Sequence, residues 1–158
     1  LKAGKYYPLY DQWVLSFRAS VGHIIGLGED VGLHDRFFIG GDDLRGFATS
    51  GVGPRDQATK DALGGEWMYK GGAEIKFPLG LPEELGITGK LFSDVGSAGK
   101  LNANSSAVND TGSARVSVGT GITWVSPFGP LGIDFGVPIV KENFDETENM
   151  RVNFGTRF

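Results

Sequence analysis

Arg45 is the residue whose type and setting carry the clearest chemistry in this sequence of 158 residues. It lies in the run Gly40-Gly41-Asp42-Asp43-Leu44-Arg45-Gly46-Phe47. A guanidinium is permanently charged and presents five N–H donors in a rigid fork that matches carboxylate oxygens. We therefore expect Arg45 either to bind carboxylates in an enclosed site or, if this short motif occurs by chance, to be a solvated loop charge.

Other kinds of chemistry have little support in the residue types. The chain has no cysteine, and its two histidines, His23 and His34, lack the spacing of metal ligands. The glycine-rich run 96–100 lacks the spacing of a phosphate-binding loop, and a net charge of −4 offers no basic surface for nucleic acid. We expect no enzyme activity, no metal or other cofactor, and no nucleic-acid partner. The acidic stretch 142–148 predicts a solvated loop.

Alternation of apolar with small or polar residues is the strongest structural signal. Ile122 and Trp124 share one parity, for example, while Gly121 and Thr123 share the other. A period of two places alternate side chains on opposite faces of a sheet. Phe92 is an aromatic residue on the polar parity and breaks the pattern. The alternation predicts strands at 13–25, 67–77, 87–96, 115–124, 131–139 and 150–158. A short stretch near 6–9 is a candidate for a seventh strand that enters from a preceding part of the protein.

The lengths of the connections favour a membrane barrel over a soluble β-sandwich. Short links at 10–12, 78–86 and 126–130 alternate with long links at 26–66, 97–114 and 140–149. Outer-membrane barrels separate short periplasmic turns from long extracellular loops in this way. We therefore predict an all-β fold, an antiparallel transmembrane β-barrel whose C-terminus is periplasmic. Seven strands do not close such a barrel, so we expect Leu1 to be an internal position of a longer precursor.

Three motifs together resemble the outer-membrane protein insertase family, the BamA family. They are the arginine run with the following Gly53-Pro54-Arg55-Asp56, the turn Ser126-Pro127-Phe128-Gly129-Pro130, and a final strand that ends in Phe158. The resemblance implies a barrel of sixteen strands, of which residues 1–158 form about the last seven as one domain. It also implies that residues 26–66 are an extracellular loop that folds back into the barrel lumen.

The resemblance assigns the carboxylate partners of Arg45 to Glu74 and Asp94. Strand parity is an independent check, because both acids fall on the face opposite the apolar one. An enclosed guanidinium is costly unless carboxylates satisfy its donors, and Asp134, which has the same parity, could join the other two. The glycine-rich setting and the parity favour an enclosed Arg45 over a solvated one. The loop motif comprises Gly41, Leu44, Arg45, Gly46 and Phe47.

The resemblance also implies a function, that of an outer-membrane protein assembly factor. Such a factor folds β-barrel proteins and inserts them into the bacterial outer membrane through a lateral seam, where the last strand offers a free edge to an incoming strand. Glycine in that strand weakens it because it contributes no side-chain packing. Implied partners are unfolded β-barrel proteins, membrane lipids with lipopolysaccharide, and accessory lipoproteins. The seam strand carries Met150, Val152, Phe154, Gly155 and Phe158.

Three other functions stay open at this point. A TamA-like assembly factor and a two-partner secretion transporter share the arginine loop within the same superfamily. The number of periplasmic repeat domains before Leu1 would distinguish them from the insertase. A passive porin, in which the loop only narrows the pore, would show steady conductance and no effect on other barrels.

Overall fold

The computed structural model describes residues 1–99 and 108–154, and seven antiparallel strands form its main sheet. Their order in the sheet follows the chain, so the first and last strands lie at the two edges. The predicted all-β antiparallel architecture is confirmed. Among the described residues, no helix is long and apolar enough to cross a membrane. The strands are β1 (Lys2–Tyr10), β2 (Trp13–His23), β3 (Trp67–Pro78), β4 (Ile87–Gly99), β5 (Arg115–Ser126), β6 (Gly129–Val140) and β7 (Met150–Phe154).

Short turns join the strands at one end of the sheet. The β5–β6 turn depends on Gly129, whose φ of +117° favours glycine. Ser126 closes the same turn, since its hydroxyl donates to the Gly129 carbonyl at 2.6 Å and accepts from the Phe128 amide at 3.2 Å. The β3–β4 link contains a 3₁₀ helix, Glu83–Leu85, which ends at Gly86 in the left-handed conformation.

Long loops occupy the opposite end, and they pair with one another. The β2–β3 loop contains a 3₁₀ helix, Leu33–Asp35, and two short strands. One of these, Gly46–Phe47, pairs antiparallel with Thr147–Glu148 of the β6–β7 loop. The other, Arg55–Asp56, pairs with Val108–Asn109 before β5. Backbone pairing therefore connects these loops to one another at this end of the sheet.

The two faces of the sheet differ in character. On the inner face, which we define as the face covered by residues 39–52, the strands carry small and polar side chains. The opposite, outer face is apolar and exposed, as expected for a surface that contacts lipid. Large apolar side chains exposed on the outer face include Phe17, Leu91, Val95, Val118, Ile122, Trp124, Ile133, Phe135 and Val137.

Several strand boundaries differ from the sequence prediction. β4 continues to Gly99 rather than ending at 96, because Gly99 pairs with Trp67 across the β3–β4 ladder. β1 is longer than 6–9 and includes Pro8, where the register of its pairing with β2 shifts, and such an irregularity tolerates proline. β2 ends at His23, two residues before the predicted 25. Of the predicted last strand 150–158, Gly155 and Phe158 lie outside the described residues.

The contrast between the faces predicts that a charge is tolerated on one and not on the other. Val118 lies in the middle of β5 on the outer face, and half-buried Thr123 lies on the inner face of the same strand. We expect Val118→Lys to lower the free energy of unfolding by about 2–4 kcal/mol in lipid vesicles, because lysine is costly in hydrocarbon. Thr123→Lys is the matched control and should change it little. Urea titration of the full-length protein measures both, and equal effects would contradict the assignment of faces.

Candidate functional site

The β2–β3 loop packs onto the inner face through a small apolar cluster. Leu44 and Phe47, on either side of Arg45, are both buried and belong to this cluster. Burial of apolar surface contributes about 25 cal/mol per Å², so these side chains help to hold the loop against the sheet. The cluster contains Ile39, Leu44, Phe47, Val52 and Ala98, and Met68 packs against it.

Two glycines shape the turn that presents Arg45. Gly41 has a φ of +63°, and its amide donates to the Phe47 carbonyl at 2.9 Å, which closes the turn. Gly46 has a φ of +94° and lies directly on the β6 backbone. A Cβ on Gly136 of β6 would lie 2.8 Å from the Gly46 nitrogen, so both positions need glycine for the loop to approach. The turn thus brings the Arg45 backbone against the inner face.

The Arg45 side chain binds both acids that were predicted from the sequence. Its Nε and Nη2 donate to the two oxygens of Asp94 at 2.7 and 2.9 Å, and its Nη1 donates to Glu74 Oε2 at 2.5 Å. The Arg45 backbone amide also donates to Asp94 Oδ2, at 3.1 Å. The side chains of Arg45 and Asp94 are only 1% and 0% exposed. The geometry is a fully enclosed, bidentate ion pair with a second carboxylate on the remaining side.

An aromatic ring covers the face of the same guanidinium. The Cζ atom of Arg45 lies 3.7 Å from the centroid of the Phe92 ring, a cation–π contact. Phe92 and Asp94 lie two residues apart on the same face of β4, and Glu74 of β3 pairs with Phe92 across the β3–β4 ladder. Phe92 was the exception to the alternation pattern, and its place beneath the arginine explains why an aromatic residue occupies the polar parity.

Electrostatics favour the charged form of Arg45 in spite of its burial. Burial disfavours the cation, but hydrogen bonds to Asp94 and Glu74 and the charges of these acids outweigh it and raise the pKa of Arg45. Because two carboxylates surround it, the cation is compensated on both sides. Removing one partner of such a pair leaves the other charge buried without compensation, which is more damaging than never having the pair.

A second arginine, which the sequence analysis missed, completes the charge balance. Arg18 Nη2 donates to Asp94 Oδ1 at 2.9 Å. The two residues lie on β2 and β4, with Gly72 of β3 between them in register. A Cβ on Gly72 would collide with the Asp94 carboxylate, so the glycine opens the path across the middle strand. The signal in the sequence was a basic residue and a glycine on the inner parity of neighbouring strands.

Asp134, which the parity allowed as a third acid beside Arg45, binds a different cation. It is buried on the inner face of β6 and pairs with Lys90 of β4, with 2.6 Å between Nζ and Oδ1. Gly121 of β5 lies between them in register, and its missing side chain leaves room for the contact. Asn153 of β7 donates to Asp134 Oδ2 at 3.2 Å. Strand parity correctly predicted the face on which Asp134 lies, but its ion-pair partner is Lys90 and not Arg45.

The acidic stretch 142–148 is not simply a solvated loop. The Asp145 side chain is fully buried and accepts two hydrogen bonds from Arg115, at 2.8 Å from Nε and 3.0 Å from Nη2. The Glu142 amide also donates to Asp145 Oδ2, at 2.8 Å. Arg115 begins β5 on its inner face, so this pair fixes the β6–β7 loop to the sheet. A charge run in the sequence did not reveal that one of its members is enclosed.

The remaining candidates do not converge on a reactive centre. His23 ends β2, whereas His34 lies in the first 3₁₀ helix. In the described part of the chain, no group of three or more histidine, aspartate or glutamate side chains is arranged to hold a metal ion. Of the predicted seam residues, Met150, Val152 and Phe154 are exposed on β7. The chemistry of the site is therefore ion pairing that holds a loop in place.

Arg45→Ala is predicted to release the loop without unfolding the sheet. Loss of one partner from a buried ion pair costs about 3–5 kcal/mol, and here the loss falls on the contact between the loop and the sheet. Cleavage within residues 26–66 by added protease should therefore accelerate strongly in vesicles that contain the variant. Arg45→Lys keeps the charge but loses the forked guanidinium, so its cleavage rate should lie between those of the unchanged protein and of Arg45→Ala. Unchanged protection of the loop in Arg45→Ala would contradict this role.

The close approach of the loop to β6 predicts that alanine disturbs the loop at one glycine of that strand and not at another. A Cβ on Gly136 would lie 2.8 Å from Gly46 N and 3.1 Å from the Arg45 carbonyl carbon, both of which are backbone atoms. A Cβ on Gly132, also on the inner face of β6, would meet nothing nearer than 3.8 Å. We expect Gly136→Ala to expose the loop to protease and Gly132→Ala to leave it protected. Equal protection in both variants would show that the loop does not press on β6.

Comparisons with known proteins identify relatives along almost the whole chain. The family model of the Omp85 superfamily domain matches residues 1–158. The chain is 36% identical over 159 residues to the outer membrane protein assembly factor BamA of Neorickettsia risticii, covering 99% of this chain and 21% of that protein. It is 31% identical over 152 residues to BamA of Nitratidesulfovibrio vulgaris, covering 94% of this chain and 18% of that protein. The chain thus spans about a fifth of the length of these curated relatives.

A solved structure shows the same fold. The crystal structure of BamA from Haemophilus ducreyi lacking POTRA domains 1–3 matches with a TM-score of 0.83 and 24% identity, over 96% of this chain and 33% of that one. The sheet of β1 to β7 therefore corresponds to part of a β-barrel, and we call its inner face the lumen face. On the match of the family model along residues 1–158, the chain belongs to the Omp85 superfamily.

Proposed function

We propose that this chain forms the C-terminal part of the barrel of an outer-membrane protein assembly factor. Such a protein folds β-barrel proteins and inserts them into the bacterial outer membrane. The observation that carries the proposal is the enclosed contact of Arg45 with Asp94 and Glu74, which holds a long loop against the lumen face. The names of the relatives, each an outer membrane protein assembly factor, support the same function.

The proposed mechanism uses the free edge of β7 as a seam. In this chain β7 pairs with β6 along Met150–Phe154 and lies at the edge of the sheet. An edge strand presents unpaired backbone donors and acceptors, to which an incoming strand adds by β-augmentation. The hydrogen bonds and apolar burial gained by the incoming barrel drive the process. The proposed activity therefore needs no nucleotide, metal or covalent intermediate, and the protein is not an enzyme in the usual sense.

The arginine loop has a supporting part in this mechanism. It spans the lumen face from β3 and β4, where Arg45 is bound, to β6, where Gly46 lies against Gly136. A barrel with a weak seam loses the support that closure gives to its wall. A loop that is fixed to internal strands supplies that support from within, so the seam can open while the remaining wall keeps its shape.

The same proposal assigns sides and partners. β7 runs from the end of the sheet that carries the long loops toward the end that carries the short turns, and this direction supports a periplasmic position for the C-terminus. The clients are unfolded β-barrel proteins that arrive from that side. Membrane lipids and lipopolysaccharide contact the apolar outer face, and accessory lipoproteins bind at the periplasmic end.

The first test is depletion of the full-length protein in its own cell, followed by quantification of folded β-barrel proteins in the outer membrane. We expect a general loss across unrelated barrels. Loss of a single secreted polypeptide would instead favour a two-partner secretion transporter. No loss, together with steady conductance of the purified protein, would favour a porin.

Arg45→Ala should impair function in cells more than it impairs the barrel itself. We expect the variant to reach the outer membrane at near-normal levels and to complement depletion poorly, because the loop no longer supports the wall. Complementation is scored as growth and as the amount of folded client barrels, with Thr123→Lys as a control on the lumen face. Full complementation by Arg45→Ala, with its loop opened, would contradict a functional role for the loop.

A further inference from the structure

Two adjacent acids at the tip of the arginine loop reach to opposite sides of the lumen face. Asp43 Oδ1 lies 2.6 Å from Lys70 Nζ on β3. Asp42 Oδ1 lies 2.6 Å from Arg151 Nε on β7. β3 and β7 are separated by β4, β5 and β6 in the sheet. The tip is therefore stretched between an internal strand and the last strand.

Arg151 is the residue through which β7 contacts this loop. Besides Asp42, its Nη1 donates to Thr49 Oγ1 at 3.3 Å and to Glu148 Oε2 at 2.9 Å. Its Cζ would lie 3.0 Å from a Cβ placed on Gly41, so the guanidinium also packs on the backbone of the tip. One side chain of the seam strand thus contacts the loop on both sides of Arg45 in the sequence.

The two ion pairs of the tip connect it to strands that differ in their backbone pairing. β3 pairs along its length with β2 and β4, so loss of the Lys70 contact leaves that strand fixed. β7 pairs along Met150–Phe154 with β6 alone among the strands of this sheet. Under the proposed function β7 is the strand that parts from its neighbour, so a side-chain contact that holds it bears directly on the seam.

We propose that Arg151 is a positioning residue that couples the seating of the arginine loop to the stability of the last strand. When the tip is seated, Asp42 holds Arg151 and keeps β7 in register on β6. When the tip leaves, β7 loses that contact and separates more readily, so the loop regulates the seam. The inference rests on the proposed function for its biological meaning, since that function requires β7 to part at its edge.

Hydrogen exchange of the full-length protein in lipid nanodiscs tests the coupling, with the two acids as a matched pair. Asp42 and Asp43 are adjacent and similarly exposed, at 52% and 45%, as are their partners Arg151 and Lys70, at 27% and 21%. We expect Asp42→Asn to accelerate exchange of the β7 amides by about twofold to fivefold, the effect of losing one partly exposed ion pair. Asp43→Asn should leave exchange in β7 unchanged.

A charge swap provides the rescue. Arg151→Asp alone should accelerate exchange in β7, and Asp42→Arg combined with Arg151→Asp should restore part of the protection. Unchanged exchange in Asp42→Asn, or equal acceleration by Asp43→Asn, would overturn the coupling. Exchange is measured on the protein alone, so its result stands apart from the depletion experiment. A protein that assembles no other barrels would overturn the proposed function without deciding how β7 is held.

Discussion

The enclosed guanidinium of Arg45 is the constraint on which the arrangement of this chain depends. A cation buried against a sheet is tolerable only if carboxylates and a stacked ring replace the water it has lost. Asp94, Glu74 and Phe92 supply these replacements from two neighbouring strands. Their positions require one register between β3 and β4, and the seating of Arg45 requires the turn to pass directly over β6. Loop, register and glycine positions therefore follow from the need to satisfy one side chain.

Glycine on the lumen face makes long-range pairing across strands feasible. In two rows of the sheet, a long basic side chain reaches an acid two strands away over a glycine of the strand between them. The rows are Arg18, Gly72, Asp94 and Lys90, Gly121, Asp134. Neighbouring strands lie about 4.8 Å apart, so such a contact spans two strand spacings and leaves no room for a Cβ in the middle. Glycine here provides space for a contact between its neighbours rather than backbone flexibility.

Strand pattern and face were predictable from sequence because both follow from a period of two. The alternation located six of the seven strands of the sheet, and parity put Glu74, Asp94 and Asp134 on one face. Strand boundaries were predicted less accurately where residues are small, as near Gly99, because the alternation between apolar and polar side chains is lost there. Pairing with Trp67 determines where this strand ends.

Pairing between charged residues was only partly predictable, because it depends on distances across the sheet that a single sequence does not contain. Asp134 pairs with Lys90 rather than with Arg45, and Asp145, a member of an acidic run, pairs with Arg115 in a buried site. Phe92 breaks the alternation, and its ring stacks on the guanidinium of Arg45. Parity pointed to both acids of the site, whereas the exception at Phe92 was noted without being connected to it.

The contact between Arg45 and Asp94 holds the loop against the lumen face, and a double-mutant cycle on these two residues measures that role. Arg45→Ala, Asp94→Asn and the double variant would be compared by the rate of protease cleavage within residues 26–66, under conditions where loop opening is faster than cleavage. The double variant should be much less damaged than the sum of the two single changes, with a coupling energy of about 0.5–3 kcal/mol. Additive effects of the two changes would show that Arg45 and Asp94 do not hold the loop together.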